Sequence, residues 1–446
     1  MPSDSKFHES HSQPLLPVVS VPSSQSSSSS VKSDKSTSFQ TAANLLNELE
    51  GSGLLGLSYA VALAGWSALL CLFVVGTMAA FTGYCLARCM YEPKTGQRVR
   101  STYKSVGEAC YGRNGGTIVV SVQMLNLCSV GVVYLVLMSE TLAALVPIFT
   151  QQQIEDSAVL AWIPMPDRRA WAAICTLAVL PTVHIGGYKK LSVMSYLGLL
   201  CLGTVLVLGI VVSSLQIRSN GGTKPLPEPD LGTFPAAYSI FVFAFSAHGI
   251  FPDLESSMAN PSDFPVVVTS VFAVNMLMKV VFALVGFYAY GTDVDQVLTN
   301  SLPPTPRLVV SVLIVLNTFL SFPLPLIPVF RYLAAPPAAD DASATATAPP
   351  PAPPPSARAQ SLQRTYVVLC IGVASVLIPN FALAMGFMAS VTLAFLTFIF
   401  PTLFYVKIHG PTAGRTVRVA AYFTMGMGVV GGVCGLVANA NMAAGN

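Results

Sequence analysis

The stretch EGSGLLG at residues 50–56 interrupts the first apolar span of the chain. Its glycines Gly51 and Gly53 stand one residue apart midway through that span, and each costs roughly 1 kcal/mol of helix propensity. In a second stretch, FSAHGIFPD at residues 245–253, Gly249 loosens the backbone and Pro252 removes a helical hydrogen bond. The sequence therefore predicts two helices that are interrupted near the middle of a membrane.

The composition of the surrounding chain indicates an integral membrane protein. Of 446 residues, 53% are hydrophobic and 10% are charged, whereas soluble domains carry roughly 25% charged residues. Most of the apolar excess lies in stretches of about 20 residues, the length of a helix that crosses roughly 30 Å of hydrocarbon. We predict an all-α fold with about 11 membrane helices, at residues 39–64, 66–90, 117–147, 170–183, 191–216, 234–258, 265–290, 308–333, 365–384, 387–408 and 417–438.

The two interrupted helices are the first and the sixth in this scheme. That spacing is typical of an inverted repeat of five plus five helices, in which the substrate binds between the two breaks. At a break, free N–H groups suit a carboxylate, and free carbonyl groups suit an ammonium group or a cation. Glycine and proline also produce plain kinks and close packing in membrane helices. A matched pair that carries polar residues favours the site, because polar groups inside a membrane are costly.

Three polar segments set the domain organisation. We predict a disordered cytosolic tail at residues 1–37, a transporter domain at 38–438 and a short C-terminal tail at 439–446. Within the domain, the Ala-Pro-rich segment 334–360 is predicted to be a disordered cytosolic linker between helices eight and nine. A cytosolic N-terminus places most Lys and Arg residues of the loops on the cytosolic side, as the positive-inside rule requires.

Several short motifs run nearly from end to end of the chain. They are NLLN (44–47), GLSYA (56–60), GW (65–66), PDLESSM (252–258), NPSDF (260–264), KVVFALV (279–285), SFPLP (321–325) and PNFALAMG (379–386). With these motifs the chain resembles the amino acid and auxin permeases, and is especially similar to the vesicular inhibitory amino acid transporters. The resemblance implies a leucine-transporter-type fold and amino acid transport coupled to an ion gradient, often of protons. The chain departs from the family pattern at Ser58, where proline is usual, and at Glu48 and Glu50, where uncharged residues are common.

Polar and glycine residues near the breaks are the candidate substrate ligands. His248 titrates in the physiological range, and we expect it to act as a proton relay or as a hydrogen-bond donor to the substrate; a histidine satisfied within the core is the alternative. Tyr134 can line the pathway or simply pack. The predicted substrate-binding residues are Asn47, Gly51, Ser52, Gly53, Tyr134, Ser246, His248 and Gly249.

Five charged residues within or beside the apolar spans are candidates for proton coupling or gating: Glu50, Glu140, Asp253, Glu255 and Lys279. Glu50 adjoins the first break, where a poorly solvated carboxyl group can carry a proton; a structural pairing near the cytosolic mouth is the alternative. A lone cation costs about 3 kcal/mol at the centre of a membrane helix. We therefore expect Lys279 to pair with Asp253 or Glu255. Glu140 is expected beside the outer pathway, with Tyr134.

The resulting hypothesis is a secondary transporter of small neutral amino acids, coupled to protons and working by alternating access. No HExxH, GxSxG or paired-carboxylate motif supports an enzyme. An amino acid sensor of the same fold and a cation-coupled importer of the plasma membrane are the alternatives. We expect no cofactor or resident metal, and a net charge of +3 gives no indication of a nucleic-acid partner. An endomembrane location is expected over the plasma membrane, and the oligomeric state is left open.

Overall fold

A computed structural model describes residues 35–157, 164–184, 188–334 and 356–444. Every regular element within these ranges is helical, and the β pairing they contain is limited to two isolated bridges. The structure below concerns the unit that begins at Ser36. Most of the predicted N-terminal tail and of the predicted linker therefore lies outside the described residues.

The helices follow the predicted order closely. The α-helices of the described chain are α1 (Ser38–Leu49), α2 (Leu57–Ala64), α3 (Ala68–Cys89), α4 (Tyr103–Leu145), α5 (Gln151–Asp156), α6 (Pro166–Val179), α7 (Tyr188–Ser219), α8 (Phe234–Ala244), α9 (Phe251–Ser257), α10 (Phe264–Tyr290), α11 (Pro304–Ser321), α12 (Leu326–Ala334), α13 (Ala357–Leu377), α14 (Phe381–Met388), α15 (Phe400–His409) and α16 (Arg415–Ala444). Short 3₁₀ segments lie at Ser52–Gly56, Gly65–Ser67, Leu180–His184, His248–Ile250, Pro261–Asp263, Gly291–Asp293 and Leu298–Ser301, and a π-helical segment at Ala389–Ile399.

The described part of the chain is all-helical and has the properties of an integral membrane protein. Large apolar side chains such as Leu70, Leu277 and Val433 are exposed on its surface. In a membrane these side chains would contact the lipid hydrocarbon. Eight helical stretches of the described chain are long and apolar enough to cross a membrane: Ser52–Cys89, Tyr103–Leu145, Tyr196–Ser219, Phe234–Ser257, Pro261–Asp293, Pro304–Ala334, Phe381–His409 and Arg415–Ala444.

The first of these stretches, Ser52–Cys89, is 38 residues long. One crossing needs about 20 residues. The backbone turns at Gly65, whose φ of 58° favours glycine over other residues. A side chain there would also collide with the carbonyl group of Pro227. The turn separates α2 from α3 where the sequence analysis places the end of its first helix.

The boundary between the predicted ninth and tenth helices was wrong. The sequence analysis ended the ninth helix at residue 384, but α13 ends at Leu377 and α14 already begins at Phe381. Pro379 disfavours helical backbone at the residue before it. Asn380 then caps the new helix, because its side chain accepts a hydrogen bond from the N–H of Leu383 at 2.9 Å.

A third helix is also interrupted. The predicted eighth helix, 308–333, is divided into α11 and α12 at the SFPLP motif, where Pro323 and Pro325 cannot donate helical hydrogen bonds. At two other places helix extends beyond its predicted end. α13 begins at Ala357 and α16 continues to Ala444, so helix occupies the last residues of the predicted linker and much of the predicted C-terminal tail.

Candidate functional site

The first predicted break is present between α1 and α2. Helix α1 ends at Leu49, and Gly51 adopts φ −52° and ψ −162°, which is not helical. A 3₁₀ segment then begins at Ser52. Gly53 is needed for close packing, because a Cβ atom there would lie 2.9 Å from Cδ1 of Phe243 and 3.1 Å from Cα of Ala244.

The second predicted break is present between α8 and α9. Helix α8 ends at Ala244, and Ala247 adopts φ −137° and ψ 11° before the 3₁₀ segment that begins at His248. Pro252 is one of the first residues of α9, a position that tolerates its missing N–H. α2 and α8 pack against each other. The prediction that both stretches are interrupted and close together is confirmed.

Both breaks open onto one cavity of about 320 Å³. Its wall includes Phe243, Leu127 and Met388 as apolar residues. All eight predicted substrate-binding residues also line it, namely Asn47, Gly51, Ser52, Gly53, Tyr134, Ser246, His248 and Gly249. The structure thus brings these residues together around one space, and their role as ligands stays a prediction.

Two 3₁₀ segments begin at the wall of this cavity, at Ser52 and at His248. No side chain caps the 3₁₀ segment that begins at Ser52 or the one that begins at His248. The first N–H groups of a helix have no acceptor within the helix. They carry the positive end of the helix dipole, which attracts anions. The cavity therefore offers hydrogen-bond donors to a carboxylate.

His248 is held in place by its Nε2 atom. That atom lies 3.1 Å from the carbonyl oxygen of Ala79 and 2.9 Å from Oγ1 of Thr82. With its proton on Nε2 the ring donates to the carbonyl oxygen of Ala79, and with its proton on Nδ1 the ring accepts from the hydroxyl group of Thr82. Nδ1 is buried and has no hydrogen-bond partner in the described part of the chain. The predicted role of His248 as a proton relay or as a hydrogen-bond donor to the substrate stays a prediction.

Five polar residues of the cavity wall were missed by the sequence analysis: Gln123, Asn126, Asn317, Ser321 and Thr397. The Nε2 group of Gln123 donates to the carbonyl oxygen of Gly249 at 2.9 Å and so ties α4 to the second break. The sequence pattern could have predicted the two residues that lie on α4. Gln123 and Asn126 are polar, three positions apart in an apolar helix, and share the face of Tyr134.

The sequence analysis expected Lys279 to pair with Asp253 or Glu255. The structure shows other partners for Lys279. It is fully buried. Its Nζ atom donates to the carbonyl oxygens of Leu49 at 2.6 Å and Ala244 at 2.5 Å, and to Oδ1 of Asn275 at 2.9 Å. Leu49 and Ala244 are the last residues of α1 and α8. The lysine therefore joins the C-terminal ends of the two half-helices that precede the breaks.

Glu255 has a different partner. Its Oε2 atom lies 2.7 Å from Nε of Arg98, and its Oε1 atom accepts a hydrogen bond from the hydroxyl group of Tyr91 at 2.5 Å. Burial and this hydrogen bond raise the pKa of Tyr91, which keeps its hydroxyl group a donor. Asp253, two residues earlier on α9, lines the cavity instead. Of these two carboxylates, only that of Asp253 can therefore contact a ligand in the cavity.

Glu50 lies beside the cavity but is not part of its wall. It is 7% exposed, and its Oε1 atom accepts a hydrogen bond from Nδ2 of Asn275 at 2.7 Å. The other oxygen, Oε2, has no hydrogen-bond partner among the described residues. Asn275 thus connects Glu50 to Lys279. A coupling role for Glu50 stays a prediction.

Glu140 lies apart from Tyr134, in the wall of a second cavity with Arg168, Gln296 and Asn380. Its Oε2 atom accepts a hydrogen bond from the N–H of Phe381 at 2.7 Å, the first residue of α14. Arg168 donates to the carbonyl oxygens of Ser375 and Val376 at 3.1 Å each, near the end of α13. In this arrangement Glu140 caps a helix, and its predicted part in gating remains a prediction.

The two interrupted helices are also joined at both ends. Next to α1, the N–H of Ser36 donates to the carbonyl of Ser257 at 2.8 Å, and that of Ala259 donates to the carbonyl of Ser36 at 2.9 Å. Next to α2, Nε1 of Trp66 donates to Oε2 of Glu228 at 2.9 Å, in the segment that leads into α8. Together with the contacts of Lys279, these hydrogen bonds connect the two interrupted helices at three places.

The described residues contain no group of three or more His, Cys, Asp or Glu side chains that could hold a metal ion. The candidate site consists of two helix breaks, a cavity and a few polar side chains around it. That arrangement can bind and orient a small zwitterion, and it contains no apparent nucleophile with an activating base.

Comparison with known proteins agrees with this geometry. The family model described as transmembrane amino acid transporter protein matches residues 34–442. Vesicular inhibitory amino acid transporters of Rattus norvegicus and Homo sapiens are each 26% identical over 408 residues, which cover 90% of this chain and 74% of the relative. Amino acid transporter AVT1D of Arabidopsis thaliana is 28% identical over 404 residues, which cover 89% of this chain and 68% of the relative.

Proposed function

The chain belongs to the transmembrane amino acid transporter family, and from this premise we propose that it is a secondary transporter that carries small neutral amino acids by alternating access. Its relatives are transporters by name. The observation that carries the proposal is the pair of interrupted helices that open onto one cavity lined by Ser52, Gly53, His248 and Gly249.

The polar groups of the cavity suit the two charges of an amino acid. The N–H groups at the start of the segments that begin at Ser52 and His248 match a carboxylate. The carbonyls at the ends of α1 and α8 are occupied by Lys279. We assign the ammonium group of the substrate to other acceptors of the cavity wall, among them the carboxylates of Asp253 and Glu48.

The size of the cavity favours a small substrate. Ligand pockets typically range from roughly 300 to 1,000 Å³, and about 320 Å³ is at the lower end of that range. The apolar wall leaves room for a short uncharged side chain. The vesicular relatives are named as transporters of inhibitory amino acids, and this name supports an amino acid as the substrate.

The proposed architecture has eleven crossings, with an inverted repeat of five plus five helices. The turn at Gly65 supports counting Ser52–Cys89 as parts of two crossings. α6 and α13 add two further crossings, and α1 completes the first one. The breaks then fall in the first and the sixth helix, where the repeat requires them. One bundle containing both would rock against the remaining helices around the cavity.

The proposed location is an internal membrane, with the N-terminus in the cytosol. Basic residues such as Arg98, Arg100 and Lys407 then face the cytosol, as the positive-inside rule favours. The vesicular relatives support a vesicle or a similar compartment. Protons are the proposed coupling ion, and Glu50 is their proposed carrier because one of its buried oxygens lacks a partner.

Uptake of labelled amino acids into proteoliposomes tests this function. We expect saturable accumulation of small neutral amino acids that increases when a proton gradient is imposed and disappears when the gradient is collapsed. Saturable binding without accumulation would instead indicate an amino acid sensor. Accumulation that follows a sodium gradient and ignores the proton gradient would indicate a cation-coupled importer.

A further inference from the structure

The ammonium group of Lys279 uses all of its hydrogen-bonding capacity inside the protein. An ammonium group has three N–H donors. Here each has an oxygen acceptor within 3 Å: the carbonyls of Leu49 and Ala244 and the side chain of Asn275. The ring of Phe245 lies 5.0 Å from Nζ and adds a cation–π contact. No N–H is left for a ligand.

The acceptors form the kind of site that binds a small cation. Leu49 and Ala244 end two half-helices, and each helix C-terminus carries roughly half a negative charge. In transporters with discontinuous helices, such carbonyls coordinate the coupling ion. In this chain their oxygens are bonded to a side chain from α10. The carboxylate of Glu50 adds negative charge through Asn275.

The same chemistry recurs elsewhere in the protein, with one difference. Arg100 donates to the carbonyl of Cys89 at the end of α3, and Arg307 donates to that of Ala144 near the end of α4. Each of these cations stabilises the end of one helix. Lys279 binds the ends of two helices that are distant in sequence, and it does so beside the cavity.

We infer that Lys279 is a tethered cation that fills a monovalent-cation site between the two breaks, so that no free metal ion binds there. The positive charge that holds α1 and α8 together is supplied by the chain itself. Removing the side chain exposes the carbonyls of Leu49 and Ala244, and the vacated site should accept a small organic or inorganic cation. Lys279 is a positioning residue in this view, because it acts on the breaks and not on the substrate.

Thermal unfolding of the purified full-length chain tests the inference without any substrate. In choline chloride, we expect Lys279→Ala to melt roughly 6 °C or more below the wild type, because two helix ends lose their shared partner. Methylammonium chloride should raise the melting temperature of Lys279→Ala in proportion to the logarithm of its concentration. It should leave the wild type unchanged. Lys224→Ala, which removes an exposed lysine, is the matched control and should show neither effect.

Two outcomes would overturn the inference. One is a Lys279→Ala variant that melts like the wild type or gains nothing from methylammonium relative to choline. The other is a wild type that is stabilised by sodium over choline in a saturable manner. The second measurement needs no variant, so it decides the question even if Lys279→Ala fails to fold. Lys279→Gln, which keeps two N–H donors, should then melt between the wild type and Lys279→Ala if it is produced.

An uptake measurement adds a readout that rests on the proposed function. Wild-type uptake should change less than twofold when sodium is replaced by choline, whereas a tenfold loss would contradict the inference. Absence of uptake for every amino acid in every salt would refute the proposed transport and would leave the unfolding result standing. The two failures are therefore distinguishable.

Discussion

Replacing Gly53 by alanine would test whether the two breaks must approach each other closely. A Cβ atom at this position would lie 2.9 Å from Cδ1 of Phe243 and 3.1 Å from Cα of Ala244. Carbon atoms in contact prefer about 3.5 to 4.0 Å, so α8 must move away by about half an ångström. Overpacking of this kind costs about 1–3 kcal/mol. The movement would also strain the bond between Lys279 and the carbonyl of Ala244.

Gly249, in the other break, is the matched control. A Cβ atom there would meet nothing nearer than Nε2 of Gln123, at 3.9 Å. We expect Gly53→Ala to lower the free energy of unfolding in a detergent denaturation series by about 1–3 kcal/mol, and Gly249→Ala to leave it within about 0.5 kcal/mol. If Gly53→Ala proved as stable as the wild type, or if both variants lost equal stability, the close approach of the first break to the end of α8 would be refuted.

Three further predictions concern carboxylates. Glu255→Gln should destabilise the protein by about 1–3 kcal/mol in the same denaturation series, because Arg98, which is 29% exposed, loses a buried partner. The control Glu92→Gln, in a more exposed ion pair, should cost less than about 1 kcal/mol. Equal costs would argue against the importance of the buried pair. Glu140→Ala should cost about 1–3 kcal/mol by uncapping α14, and Glu140→Gln, which keeps an acceptor, should restore most of it; if both variants behave alike, the cap is not what matters. Glu50→Gln should make uptake in proteoliposomes insensitive to the proton gradient, and normal gradient dependence would end its proposed coupling role.

The sequence alone was sufficient to predict the breaks. Paired glycines and a proline within apolar spans weaken a helix wherever they occur, so the interruptions near Ser52 and Gly249 could be predicted from local properties. The eight predicted substrate-binding residues come together for the same reason. They flank the two breaks or, like Tyr134, are polar residues within an apolar helix.

The partners of Lys279 could not be predicted in the same way. A buried cation in a sequence suggests a carboxylate partner, because side-chain charges are visible in the sequence. The carbonyls of Leu49 and Ala244 become acceptors only when two distant helices end at the same depth. That coincidence belongs to the tertiary structure. The break at SFPLP was open to prediction from Pro323 and Pro325, and the sequence analysis used the motif only as a family resemblance.

The three connections between the interrupted helices have a consequence for hydrogen exchange. Backbone amides exchange with solvent when the segment that holds them opens, and segments joined by shared hydrogen bonds open together. Ser36 and Trp66 each bond to a residue beside the other interrupted helix, and Lys279, on α10, bonds to the ends of α1 and α8. Amides of α1 and α9, more than 200 positions apart in the chain, should therefore share one opening free energy and become protected together when either helix is stabilised.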